Sequence, residues 1–287
     1  MNFFRQQYEF NFCATYYYAE IVQKTINNYD PSNYLSEVSR FFDLIDTLFE
    51  NMDYEKLIKP HKRTLLHDFI DLIIQKDLND QLFIHITDDL RCNIYNKNNP
   101  ISLYCSEYEI DFLDLSDQVD EDNNFQNDEV WEIWNNYCYE SIPHEIFPIL
   151  IPKISIGVFE ILFGNRVFLK NFNILLSKKI KEIPFCEDNY DILKSDGVLH
   201  RCTYWPIWLK DALFFREKGK CAICSCDLSG LLNTDTKPNI DHIVPLALSG
   251  TNDPTNFQWI CFKCNNEKLG HTVTTTNRFN PYWDIDE

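Results

Sequence analysis

Apolar residues recur at helical spacing through the first 80 positions of this 287-residue chain. Tyr18, Ile21, Val22 and Ile26 form one stripe. Leu35, Val38, Phe41, Phe42, Leu44, Ile45 and Leu48 form a second, after the turn Asp30-Pro31-Ser32. That spacing predicts two helices, and a third from Lys62 to Lys76 through Leu65, Leu66, Phe69, Ile70, Leu72 and Ile73. Residues 82–86 and 102–105 read as short strands. From Asp128 to Ser177 the pattern predicts buried helix, with Trp131, Trp134, Phe159, Leu162 and Phe168 in the core. Its most apolar stretch, Ile146 to Phe163, is broken by Pro148, Pro152, Lys153 and Glu160 and reads as a buried element instead of a membrane span. Cys186-Glu187-Asp188-Asn189 and Ser195-Asp196-Gly197 punctuate the chain and predict a boundary near residues 186–203. After it, Pro206 to Lys218 reads as a helix, with Pro206 in its first turn, Leu209, Leu213 and Phe214 as its stripe and Gly219 as its stop.

Composition supports a packed core: 45% of residues are hydrophobic and 15% aromatic. With only 7 glycines and neither a GxGxxG nor a Walker A loop, the chain does not read as a nucleotide-binding fold. The net charge of −18 is unevenly spread. Residues 1–200 hold 17 Lys/Arg and 34 Asp/Glu, and residues from 201 onward hold 9 and 10. Polyphosphate is repelled at long range by such a chain, so nucleic acid would have to meet a locally neutral or basic patch. Residues 98–152 contain no Lys or Arg, and 107–132 contain 11 Asp/Glu. Asp120-Glu121-Asp122-Asn123-Asn124 reads as an exposed loop, a solvated surface or a face that docks on a basic partner. Residues 1–200 are therefore expected to form an acidic, mostly helical domain that binds a protein partner, oligomerises or regulates, with residues 201–287 as a separate domain. No apolar leader follows Met1, so a cytoplasmic protein with reduced thiols and no membrane contact is expected.

Four of the 11 cysteines form two Cys-x-x-Cys pairs, Cys221/Cys224 and Cys261/Cys264. That spacing suits one structural Zn²⁺. The 36 residues between the pairs exceed the ~15–20 of a simple zinc ribbon, so something is built between the knuckles. Cys226 stands close by and reads as a spectator that could replace a ligand. The insert contains Asn239-Ile240-Asp241-His242-Ile243-Val244-Pro245 and Ser249-Gly250-Thr251-Asn252-Asp253-Pro254-Thr255-Asn256, and Asn265-Asn266-Glu267-Lys268 follows the second knuckle.

Residues 205 to 270 resemble the HNH nuclease family, in its four-cysteine branch. The family pattern is an acidic-His pair ending a first strand, an Asn in the following loop and a His or Asn at the start of a helix. Asp241-His242, Asn256 and Asn265 stand at those positions. The resemblance implies an α+β chain: a mostly helical N-terminal domain followed by a small ββα-metal module with a four-cysteine zinc site. It further implies His242 as general base, Asp241 and Asn265 as ligands of a catalytic Mg²⁺ or Mn²⁺, and Asn256 as a brace. Phosphodiester cleavage, of DNA more than RNA, would leave a 5′-phosphate and a 3′-hydroxyl. Imidazole chemistry near neutral pH and hard oxygen donors for the cation fit those roles. Two departures stand out: Asn265 replaces the final His, and Ser249-Gly250 stands where relatives have Gly-Gly. Lys263, Lys268 and Arg278 are candidate phosphate contacts, and His271 is a secondary metal candidate. Defence or restriction is the context such proteins imply. The rival reading is a catalytically inactive, zinc-stapled module that binds nucleic acid or protein.

Overall fold

The computed structural model describes residues 12–30, 32, 38–92, 99–121, 124–183, 192–231 and 237–277. It is mostly helical with one two-stranded sheet near the C-terminus. The helices are α1 (Phe12–Asn27), α2 (Leu44–Asn51), α3 (Glu55–Ile58), α4 (Leu65–Cys92), α5 (Pro100–Glu107), α6 (Asp128–Asn136), α7 (Phe147–Phe163), α8 (Arg166–Ile180), α9 (Ile207–Arg216) and α10 (Phe262–Lys268). The strands are β1 (Pro238–His242) and β2 (Phe257–Cys261).

Both segments read as strands are helical. Residues 82–86 continue α4, because the stripe Leu66, Ile70, Ile74, Leu78 and Leu82 runs through them without a breaker and an established helix propagates at little cost. Residues 102–105 lie in α5, which begins at Pro100. Asn99 Oδ1 caps it by accepting the Ser102 N–H at 2.7 Å. Part of the expected 35–48 helix lies outside the described residues; what is described is a turn at Ser39–Phe41 followed by α2.

The chain divides into two compact units, but not at residue 200. One comprises Met1–Glu20 and Ile70–Val158, and the other Ile21–Phe69 and Phe159–Glu287. Within the second, Asn252 and Asp253 bond to Leu57 and Leu65, so early helices and the C-terminal module share one folded body. This division concentrates the charge. The first unit holds 5 Lys/Arg against 20 Asp/Glu, whereas the second holds 21 against 24. The module with the candidate chemistry thus belongs to a nearly neutral body.

In the first unit α6 and α7 are joined by a π-helical stretch, Tyr137–Ile146, which contains Pro143. Proline cannot donate to the residue four back and its ring crowds that carbonyl, so the helix widens: the Phe147 N–H reaches Ile142 O, five residues back. Val130, Trp134, Cys138, Ile142, Leu150, Ile154 and Val158 bury one side. The run Asp128–Phe163 is long and apolar enough to cross a membrane by length and composition, with half of its most apolar window buried. In the second unit, α8 buries Phe168, Leu169, Phe172, Leu176 and Ile180, and α2 packs on it.

The sheet is an antiparallel hairpin whose register pairs Ile240 with Trp259, Asp241 with Gln258 and His242 with Phe257. Helix α10 packs on both strands, and α9 packs on β2. Leu209, Leu213, Cys221, Leu228, Phe257 and Ile260 form the module's core.

Candidate active site

The two knuckles meet. The sulfurs of Cys221, Cys224, Cys261 and Cys264 all lie within 4.8 Å of one another. Cys224 and Cys261 Sγ are 3.8 Å apart. Sulfurs at about 2.3 Å from a tetrahedral Zn²⁺ would have edges of about 3.8 Å, so the quartet fits that ion. Main-chain N–H groups of Cys261 and Cys264 donate to Cys221 Sγ and Cys261 Sγ, each at 3.4 Å, which stabilises thiolate charge. Cys226 is outside the quartet, although its carbonyl accepts the Cys221 N–H at 2.9 Å. The left-handed turn at Ser225 (φ 62°) shapes the first knuckle.

The second half of the loop between β1 and β2 lies inside the protein. Every residue from 250 to 261 is buried. Asn256 braces this loop from inside: its Oδ1 accepts the Val244 N–H at 2.8 Å, and its Nδ2 donates to the carbonyls of Val244 and Thr251, each at 2.9 Å. Gly250 crosses so close to Val244 that a Cβ there would lie 1.8 Å from the Val244 oxygen. Ser249 adopts φ 64°, a left-handed conformation that explains why glycine suits this position. Asp253 is fully buried and reaches out of the module. One of its oxygens accepts the Thr255 N–H and hydroxyl at 2.9 and 2.6 Å, and the other accepts the Leu65 N–H at 2.8 Å, capping α4. Burial raises its pKa, and these bonds oppose the rise.

His242 ends β1 and is 6% exposed, its ring 4.9 Å from that of Phe257 and 6.4 Å from that of Trp205. The side chain that touches it is Asn252, which sequence reasoning missed. Asn252 Nδ2 donates to the carbonyls of Leu57 at 3.2 Å and His200 at 2.8 Å. Its Oδ1 accepts the Cys202 N–H at 3.2 Å and faces His242 Nε2 at 3.1 Å. With both amide hydrogens committed to carbonyls, Oδ1 can only accept, so His242 Nε2 carries the proton and Nδ1 carries the lone pair. Nδ1 makes no hydrogen bond among the described residues. Burial lowers the His242 pKa to about 4. The expected titration near neutrality is thus corrected: a desolvated imidazole resists charging, and His242 is neutral across the physiological range.

Asp241, on the opposite face of β1, directs Oδ2 to Gln258 Nε2 at 3.0 Å and to Lys268 Nζ at 2.6 Å. Lys268 also donates to the His242 carbonyl and is 6% exposed. Its expected role as a phosphate contact is corrected, because its ammonium is committed inside the module. Burial lowers its pKa, and Asp241 opposes that shift. Asn265 lies one helical turn before Lys268 on α10, half-buried, and its side chain makes no hydrogen bond among the described residues. Asp241 Oδ1 makes none either. A free carboxylate oxygen and a free amide oxygen are the donor chemistry of a hard divalent cation, so these residues fit Mg²⁺ or Mn²⁺. Lys263 is exposed beside Glu267 at 3.9 Å, His271 is exposed beyond the end of α10, and Arg278 lies outside the described residues.

Residues 221–280 match the family model for HNH endonuclease. No curated protein and no solved structure matches the chain. The match covers both knuckles, the Asp241-His242 pair, Asn256 and Asn265, and it supports nuclease activity on nucleic acid. Leu57, Leu65 and His200, the partners of Asn252 and Asp253, lie outside the matched segment.

Proposed function

We propose that the protein is a metal-dependent endonuclease that hydrolyses phosphodiester bonds of nucleic acid, with DNA as the favoured substrate. The observation that carries this reading is a neutral, tautomer-locked His242 next to Asp241, with Asn265 on the helix packed against both strands. Asp241 Oδ1 and the Asn265 amide oxygen would hold one Mg²⁺ or Mn²⁺. When bound, the cation supplies Lewis-acid stabilisation of the scissile phosphate and of the departing 3′ oxygen. His242 Nδ1 takes a proton from the attacking water while Asn252 holds Nε2–H and stops the ring rotating. A pKa of about 4 makes the imidazole a weak base that is always available. Asn256 keeps the loop that positions Asn252 closed. The products are a 5′-phosphate and a 3′-hydroxyl.

The zinc is structural in this reading and clamps a module too small to hold its shape by apolar burial alone. The first compact unit, with its 5 Lys/Arg against 20 Asp/Glu, binds a protein partner or restrains the nuclease by repelling nucleic acid, as an effector of a cytoplasmic defence or restriction system would require. The contact of Lys268 with Asp241 Oδ2 favours the rival reading of an inactive module, because an ammonium already satisfies one oxygen of the proposed ligand. Plasmid nicking with Mg²⁺ or Mn²⁺ separates the two. Wild type should cut and His242→Ala should not. Intact DNA and RNA with every divalent metal tried, for a protein shown to be folded, would leave the binding module as the better account.

A further inference from the structure

A cleft of about 610 Å³, within the size range of small-ligand pockets, opens at Trp205, whose ring lies 6.4 Å from that of His242. Its walls include Arg201, Trp205, Lys210, Asn239, Trp259 and Asn265. The charged residues lining it, Arg201 and Lys210, are both cationic, although the chain carries a net charge of −18. Both are exposed, and neither side chain makes an ion pair or hydrogen bond among the described residues. Cationic side chains left free on an acidic protein are free for an anionic ligand. The aromatic lining is held firmly. Trp205 stands edge-on to Phe257 at 4.8 Å and 85°, and Trp259 is paired with Ile240 across the sheet with its indole nitrogen buried and unbonded. The segment that carries Arg201 and Trp205 is fastened to the catalytic machinery: Asn252 bonds the His200 carbonyl and the Cys202 N–H while it holds His242. Asn265, the proposed cation ligand, also lines the cleft. The cleft therefore shares Asn265 with the proposed cation site.

One half-buried indole, that of Trp205, two cations and two side-chain amides are what a strand-binding surface uses, with the buried Trp259 as the floor behind them: an aromatic face for a base, cations for phosphates and amides for base edges. A base inside a duplex is stacked on both sides and presents no face to an indole. We propose that this cleft receives an unpaired nucleotide of the substrate strand, so that the enzyme acts on single-stranded or locally opened nucleic acid. The proposal rests on the nuclease reading for its direction and names the substrate of that same site.

The test uses full-length wild-type protein without added divalent metal and a fluorescein-labelled oligonucleotide, single-stranded or annealed to its complement, read by anisotropy. The single strand should bind more tightly. Trp205→Leu should weaken that binding by roughly tenfold, as the loss of one base–aromatic stack does, and Trp205→Phe should restore most of it. Lys210→Ala and Arg201→Ala should each reduce the log–log salt dependence by about 0.7. Both residues are exposed, so these variants carry the test if Trp205→Leu fails to fold. Equal affinity for duplex and single strand, or unchanged binding and salt slope in the Lys210 and Arg201 variants, overturns the proposal. Strand binding of the expected kind by a protein that cuts nothing sinks the nuclease and leaves the cleft. Cleavage with an unchanged KM in Lys210→Ala and Arg201→Ala sinks the cleft and leaves the nuclease.

Discussion

Replacing Asn252 by Ala should damage both stability and catalysis. Asn252 is fully buried, and its amide serves Cys202 N–H, His242 Nε2–H, Leu57 O and His200 O. The Leu57 carbonyl keeps a bond from the Asn252 main-chain N–H at 2.8 Å, whereas the Cys202 and His242 donors and the His200 carbonyl each lose the bond that Asn252 gives them. Each such group costs about 1–3 kcal/mol when left unmade in the interior. Water entering the vacated space would recover part of this, which places the net loss at roughly 3–5 kcal/mol. The check is urea unfolding followed by far-UV circular dichroism, with the midpoint moved and the slope unchanged. Cleavage under single-turnover conditions should fall about 100-fold, because His242 is then free to rotate and to change tautomer. Asn252→Asp sharpens the test. It keeps the acceptor for His242 but sets a carboxylate beside the imidazole, so the acid limb of the rate profile should move up from about 4. An Asn252→Ala protein within about 1 kcal/mol of wild type, cutting at the wild-type rate, would refute the reasoning.

Acid should unfold the second unit through its histidines. His67 and His242 are buried, and desolvation lowers their pKa values to about 3 and about 4. In the unfolded chain each titrates near ~6.5, so the unfolded state gains protons that the folded state refuses. Stability is complete above pH ~6.5 and declines toward pH ~4, by about 3 kcal/mol for His242 alone. Urea midpoints at about pH 7.5 and about pH 4.5 should therefore differ less in His242→Gln than in wild type, and identical differences would count against a buried neutral imidazole. Gly250→Ala should yield an insoluble or unfolded chain, since its methyl group meets the Val244 oxygen, whereas Ser249→Gly should raise stability by about 1 kcal/mol at its left-handed position; thermal melting of both variants decides. Metal analysis should give about one Zn per chain. Cys261→Ser should lose that zinc and unfold the module, and retention of stoichiometric zinc would contradict the ligand set.

The nearly neutral charge of the second unit also changes how the acidity of this protein is understood. A division at residue 200 assigns acid to everything before the knuckles. The fold instead gives Ile21–Phe69 and Phe159–Glu287 to the body that holds the site, and leaves the acid-rich 98–152 segment in the other unit. With 21 Lys/Arg against 24 Asp/Glu, the unit that holds the site repels phosphate only weakly through its own net charge.

The arrangement of the module was legible in the chain because it is written at short range. Two residues between paired cysteines, an acidic-His dipeptide and an Asn directly after a knuckle are local patterns, and the fold sets them where such patterns predict: four sulfurs together, the dipeptide at the end of β1 and Asn265 on α10. The helices α1, α4 and α7 were legible for the same reason, whereas residues 82–86 and 102–105 were misread because a short apolar run suits a strand or a helix equally until its neighbours decide. The partners of the site were not legible. Asn252 meets Leu57 across 195 positions and Asp253 meets Leu65 across 188, and no local spacing encodes such contacts. Burial was equally invisible: Lys268 reads as a surface charge and His242 as an ordinary imidazole until packing removes their water. The sequence by itself determined which groups could do the chemistry. Only the tertiary structure decided which of them are neutral, which are already engaged and which distant helices hold them in place, because those outcomes depend on desolvation and on hydrogen bonds that exist only when remote segments are packed together.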